Sequence, residues 1–122
     1  MIQLRSVLVP ADNSGAKKLK VIRIHHGFFH KSGGIGDVVT AAVDQADPNG
    51  TVKDAEIVNA VVVRTRKETR RRDGSYVRFD DNAAVVIDKD GNPRGTRVFG
   101  PIAREIRDLG YTKIASLAKE II

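Results

Sequence analysis

Apolar positions along the chain recur mostly at the short spacing of β-strands. Ser6-Val7-Leu8-Val9 is short and apolar, and Pro10 is expected to end it by removing a ladder donor. Leu19 to Ile24 is rich in β-branched residues. Its alternation slips between Val21 and Ile22, which marks either a bulge or a strand covered on both faces. Asp37 to Val43 predicts a third strand, bounded by Gly33-Gly34 and by Asp47-Pro48-Asn49-Gly50. Glu56 to Arg66 predicts the longest strand, with Val61-Val62-Val63 at its centre, and Tyr76 to Phe79 and Ala83 to Ile87 complete the set. Asp73-Gly74 and Asp90-Gly91 supply the turn chemistry of tight hairpins. Short strands separated by such turns argue for a barrel or a sandwich. No helix long enough for a βαβ crossover lies between them, which disfavours a doubly wound parallel sheet.

The period then changes. Gly100-Pro101 can open a helix, because proline at the first helical position costs no needed donor. Ile102, Ile106 and Leu109 recur at helical spacing, and Gly110 supplies a stop. A second short helix is expected over Lys113 to Ala118. With no internal repeat, linker or low-complexity stretch, residues 1–122 read as one domain, β up to about residue 100 and helical over about 101–122.

Composition narrows the function. No apolar run approaches the ~20 residues of a membrane span, and Met1-Ile2-Gln3-Leu4-Arg5 lacks the layout of a secretory signal, so a cytoplasmic location is expected. Cysteine is absent, which removes disulfides, thiolate nucleophiles and thiolate metal ligands. Aromatics are only 5% of residues, too few for a protein that grips single strands mainly by base stacking. The net charge is +6, and its distribution matters more than its size. Residues 64–72, Arg-Thr-Arg-Lys-Glu-Thr-Arg-Arg-Arg, hold six basic residues and one acid and so carry +5, leaving +1 for the rest of the chain. A positive patch on a nearly neutral body is the footprint of a polyanion partner. A solvated loop kept for solubility would ordinarily mix the two signs.

Four blocks of sequence then become familiar. The first is Ala11-Asp12-Asn13-Ser14-Gly15-Ala16, and the second is Val58 to Arg66, leading into the basic stretch. The third is Asp73-Gly74 with Arg78-Phe79-Asp80, Asn82 and Val85-Val86. The fourth is Gly95 to Glu105, followed by Lys113 to Ala118. In this order and spacing the chain resembles, nearly end to end, the bacterial form of the universal large-subunit ribosomal protein L-fourteen family. Two stretches depart from the family pattern. His30-Lys31-Ser32-Gly33-Gly34-Ile35-Gly36-Asp37 stands where relatives carry an Arg-Arg-Tyr-type stretch before the Gly-Asp that opens the third strand, and Lys119 stands where many have proline.

The resemblance implies a mainly β fold: a small five-stranded barrel (about 1–100) with a projecting β-ribbon and two short C-terminal helices (about 101–122). It implies a ribosome-bound structural constituent of the large subunit that binds 23S-type rRNA and has no catalysis or cofactor of its own. It further implies neighbouring large-subunit proteins, a bridge to small-subunit rRNA, and a docking surface for a ribosome-silencing factor.

The residues themselves suit this role. Arg64 and Arg66 are expected to leave a strand on one face, because alternate residues share a side, and Arg70, Arg71 and Arg72 precede the Asp73-Gly74 turn. Arginine, whose planar fork engages phosphate bidentately and stacks on bases, outnumbers lysine five to one there. A ribbon of this kind would read RNA by shape and phosphate position. The expected rRNA contacts are Arg64, Arg66, Lys67, Arg70, Arg71 and Arg72, with Lys17, Lys18, Arg23, Asn13, Ser14 and Lys31. Asn13 and Ser14 are equally well read as turn formers, and Lys20 and Arg23 as polar positions of a half-buried strand. Thr96, Arg97, Arg104 and Lys113 are the expected protein or intersubunit contacts, although Arg104 and Arg107 also fit the solvated face of a helix.

His25, His26 and His30 invite a metal reading, but no cysteine accompanies them and no metal site is expected. Gly33-Gly34-Ile35-Gly36 lacks the Gly-Lys-Ser/Thr ending of a phosphate-binding loop, and no pair of aspartates stands at a defined catalytic separation. The competing readings are a free translation regulator on the same barrel and a small enzyme with a barrel cleft. The second needs a convergent set of perturbed side chains.

Overall fold

A computed structural model of the chain describes residues 2–25 and 32–122. The strands are β1 (Ile2–Gln3), β2 (Val7–Pro10), β3 (Ala16–Ile24), β4 (Ser32–Gly33), β5 (Val38–Ala46), β6 (Ile57–Arg64), β7 (Thr69–Arg70), β8 (Tyr76–Val77) and β9 (Ala83–Ile87). Two helices follow, α1 (Arg104–Asp108) and α2 (Thr112–Leu117). Strands β2-β3-β5-β6-β9 close a five-stranded barrel, which leaves its sheet without a free edge. Neighbours are antiparallel except at the closure, where β9 runs parallel to β2. Strands β7 and β8 form a separate ribbon, and β1 pairs with β4.

Two apolar clusters explain the hydrophobic pattern. The barrel interior holds Leu8, Leu19, Val21, Val39, Ala41, Val43, Val58, Ala60, Val62, Ala84 and Val86. The opposite face of β6 and β9 carries Val61, Val63, Ala83, Val85 and Ile87 under Ile102, Ile106 and Ile114 from the C-terminal segment. Strands β6 and β9 are therefore buried on both sides, which is why Val61-Val62-Val63 and Ala83 to Ile87 are unbroken apolar runs. In β3 the slip at Val21 is a bulge: Val21 opposes Ala41 and Arg23 opposes Thr40, with Ile22 left exposed.

Several sequence expectations shift. Pro10 is the last residue of β2 and does not interrupt its pairing. Val9 N–H donates to Asn82 O and Ala11 N–H to Ala84 O, each at 2.9 Å, so Pro10 stands where the ladder to β9 needs no donor. The third strand runs to Ala46, and β3 and β5, at nine residues each, exceed the eight of β6. The expected strand Tyr76 to Phe79 contracts to Tyr76–Val77. Pro101 does not open a helix. Ile102 is extended and bridges Ile121, and its N–H donates to Glu120 O at 3.0 Å, so α1 starts only after Ala103.

Candidate nucleic-acid interface

The basic stretch leaves the barrel through a second bulge. Val62 opposes Ala84 and Arg64 opposes Ala83, so Val63 is the extra residue and Arg64 is re-aimed. Arg64 and Arg66 consequently do not share a face. The Arg64 side chain is only 9% exposed. Its Nε and Nη2 donate to the Asp81 carboxylate at 2.9 and 3.3 Å, and its Nη1 donates to the carbonyls of Phe99 and Pro101 at 2.8 and 3.1 Å. Gly100, between the two residues that supply those carbonyls, has φ +76, and a Cβ there would collide with the guanidinium. Arg64 thus ties the barrel wall to the segment that leads into α1, and its donors face inward.

Beyond it the cations turn outward. Arg66 and Lys67 are exposed, and Asn82 holds the bend by accepting the Arg66 N–H at 2.8 Å. In the ribbon, Thr69 pairs with Val77 and Arg70 with Tyr76. Gly74, at φ +88, makes the turn, with its N–H on Arg71 O at 3.0 Å. Asp73 accepts from the hydroxyl and N–H of Ser75 at 2.6 and 2.9 Å, and these bonds hold its carboxyl below the usual range. Arg70 and Arg72 are exposed, whereas the Arg71 side chain is 14% exposed and bonded to Glu105. Arg78, just past the ribbon, adds an exposed cation that reading the 64–72 run alone left out.

Lys17, Lys18, Lys20 and Arg23 are all exposed along β3, opposite the buried Leu19, Val21 and Ile24. The neighbouring loop is built for support. Asn13 Oδ1 accepts the N–H groups of Thr96 and Arg97 at 2.7 and 2.9 Å, and its Nδ2 donates to Thr96 Oγ1 at 2.8 Å. Ser14 is fully buried and donates to Asp12 Oδ1 at 2.8 Å, while Asp12 Oδ2 accepts the Val86 N–H at 3.0 Å. Burial raises the Asp12 carboxyl above its usual range, against the lowering effect of these bonds. Asn13 and Ser14 thus serve loop geometry, and Asn13 fixes the backbone that presents the exposed Thr96 and Arg97.

Arg94, also outside the expected set, joins the 51–56 loop to this end through Glu56 Oε2 at 2.6 Å and Thr51 O at 2.7 Å. Arg104, Arg107 and Lys113 are exposed. Lys31, His26 and His30 lie outside the described residues. His25 sits 2.5 Å from Thr40 Oγ1 through Nε2, and among the described residues no group of three or more His, Cys, Asp or Glu could hold a metal. A broad cleft of about 890 Å³ lies between the ribbon and α1, and Arg70, Arg72, Arg104 and Asp108 are among its lining residues. Its lining is mixed in sign, with Arg70, Arg71, Arg72 and Arg104 set against Asp37, Asp73, Glu105 and Asp108. Asp12, the aspartate whose pKa burial raises, is held inside its own loop and does not line this cleft.

The sequence matches the family of ribosomal protein L14p/L23e over residues 1–122. It is also 58% identical over 121 residues to the large ribosomal subunit protein uL14 of Petrotoga mobilis, covering 99% of each chain.

Proposed function

The chain belongs to the ribosomal protein L14p/L23e family, a structural constituent of the large ribosomal subunit, and we propose that it acts there by binding 23S-type rRNA through its outward-facing cations. The observation that carries this reading is the sorting of the basic stretch: Arg64 is consumed inside the fold, while Arg66, Lys67, Arg70 and Arg72 stand exposed on the bend and ribbon. Exposed arginines on a two-stranded projection can reach phosphates from several directions, which suits recognition by shape. Lys17, Lys18 and Arg23 extend the same positive surface along β3, and Lys31 belongs to the proposal on its sequence position. Asn13 and Ser14 act indirectly, by shaping the loop beside that surface. No catalytic step is assigned to the chain, and it works as a ribosome-bound component in the cytoplasm.

Thr96, Arg97, Arg104 and Lys113 are proposed to face neighbouring proteins and the small subunit, whose rRNA the chain helps to bridge. The same exposed set would receive a ribosome-silencing factor. The test of the rRNA reading is binding to deproteinised large-subunit rRNA over a salt series. Replacing Arg70 and Arg72 with Ala should weaken binding and reduce the logarithmic salt slope by roughly 0.7–0.9 for each phosphate that is no longer neutralised. Unchanged affinity and slope would remove the ribbon from the interface.

A further inference from the structure

The three consecutive ribbon arginines are not equivalent. Arg70 and Arg72 are exposed, but the Arg71 side chain is 14% exposed and its Nε and Nη2 are bonded within the fold. Arg71 Nε donates to Glu105 Oε1 of α1 at 2.8 Å, and Nη2 donates to the Ile122 carbonyl at 2.5 Å. That carbonyl also accepts the Arg104 N–H at 3.0 Å, and Ile122 N–H donates back to Ile102 O at 2.9 Å. The Arg71 backbone meanwhile holds the ribbon's own turn, donating to Ser75 O at 2.8 Å and accepting from Gly74 at 3.0 Å. One residue therefore joins the ribbon turn, α1 and the 120–122 segment. Glu105 Oε2 is buried without a hydrogen-bond partner, so the Arg71 guanidinium is what compensates that carboxylate.

A two-residue ribbon cannot hold its own orientation. Its strands make a single short pairing, well below what an isolated hairpin needs for stability. We propose that Arg71 is a positioning residue: its bridge to Glu105 and Ile122 locks the ribbon against α1 in the free protein, so that Arg70 and Arg72 meet RNA already placed. The second half of this inference rests on the rRNA-binding reading; the first does not. An arginine that touches phosphate and one that positions the ribbon differ in a measurable way. Removing the first lowers both affinity and salt slope. Removing the second lowers affinity by the fraction of time the ribbon is in place and leaves the slope alone.

Glu105→Ala separates the alternatives most sharply. On charge alone, removing an acid and freeing an arginine should tighten binding to a polyanion; with a positioning role it should loosen it. The experiment compares the full chain with its Arg71→Ala, Glu105→Ala and Arg70→Ala variants. It measures amide hydrogen exchange of the free proteins and binding to deproteinised large-subunit rRNA over a salt series. Arg71→Ala and Glu105→Ala should speed exchange at the Arg71 and Gly74 amides about tenfold, and weaken rRNA binding by up to about the same factor at unchanged slope. Arg70→Ala should leave exchange unchanged and flatten the slope. Unaltered ribbon exchange in both variants, or tighter and steeper binding by Glu105→Ala, would overturn the positioning role. If Arg70→Ala leaves rRNA binding intact while the exchange effects appear, the lock stands and the rRNA-binding role of the ribbon falls.

Discussion

Replacing Arg64 with Ala asks whether this arginine supports the fold or touches RNA, because the two roles predict opposite phenotypes. The guanidinium makes four hydrogen bonds, two to the Asp81 carboxylate and two to the carbonyls of Phe99 and Pro101, with the side chain 9% exposed. Removing one partner of a fully buried ion pair costs about 3–5 kcal/mol. Asp81 is 40% exposed and can rehydrate, which lowers the expectation to about 2–4 kcal/mol, most of it from the two carbonyls left without a donor. At roughly 4 °C per kcal/mol for a chain of this size, the melting temperature should fall by about 8–16 °C. Arg64→Lys should recover less than half of the loss, since a compact ammonium cannot span a carboxylate and two carbonyls as the planar fork does. Arg66→Ala, at the exposed neighbour, should stay within about 0.5 kcal/mol. The assay is urea and thermal unfolding followed by far-UV circular dichroism, with rRNA salt slopes measured well below each midpoint. A slope equal to wild type is expected for Arg64→Ala once it is folded. Near-normal stability with a flattened slope would show that Arg64 is spent on phosphate, and the internal bonding described above would be wrong.

Other consequences are equally open to measurement. Gly100→Ala combines a left-handed φ with a collision against the Arg64 guanidinium, and should destabilise by about 2 kcal/mol or more in the same unfolding assay. Ala55, at φ +63, occupies the left-handed position of a bulge in which Ala55 N–H and Glu56 O both bond Val43; Ala55→Gly should therefore stabilise by up to about 1 kcal/mol. The pH dependence of folding should carry two opposed contributions. Asp12, with its pKa raised by burial, favours the fold at low pH and loses that contribution as pH rises from below the ordinary carboxylate value through its raised one. Glu56, with its pKa lowered first by the Arg94 hydrogen bond, favours the fold above the ordinary glutamate value and loses that contribution as pH falls. Relative to wild type, Asp12→Asn should therefore steepen the loss of stability on acidification and Arg94→Ala should flatten it, read from urea midpoints across the acid range.

The strands and turns were legible because their signals are local or nearly so, but those signals left a barrel and a sandwich open, and only the family resemblance chose the barrel. The turn glycines, the slip at Val21 and the double apolar faces of β6 and β9 all follow from residues a few positions apart. The ribbon was legible through Asp73-Gly74 and the charge run. What escaped depends on distant partners. Nothing in Arg-Thr-Arg distinguishes Arg64 from Arg66; the difference lies in a bulge and in carbonyls 35 and 37 residues downstream. Asn13 looks like an ordinary turn residue until Thr96, 83 positions away, is seen to be its partner. Pro101 fits the start of a helix by local rules, but the pairing of Ile102 with Ile121 keeps it extended. Local chemistry marked where cations gather, and long-range packing decided which of them remain free.

The role itself is tested most directly by sedimenting a lysate that contains the tagged chain through sucrose gradients of increasing salt. Co-migration with large subunits and whole ribosomes, surviving moderate salt, is expected of an integral constituent. A chain that stays at the top of the gradient even at low salt would contradict the structural role and leave only a free RNA-binding module.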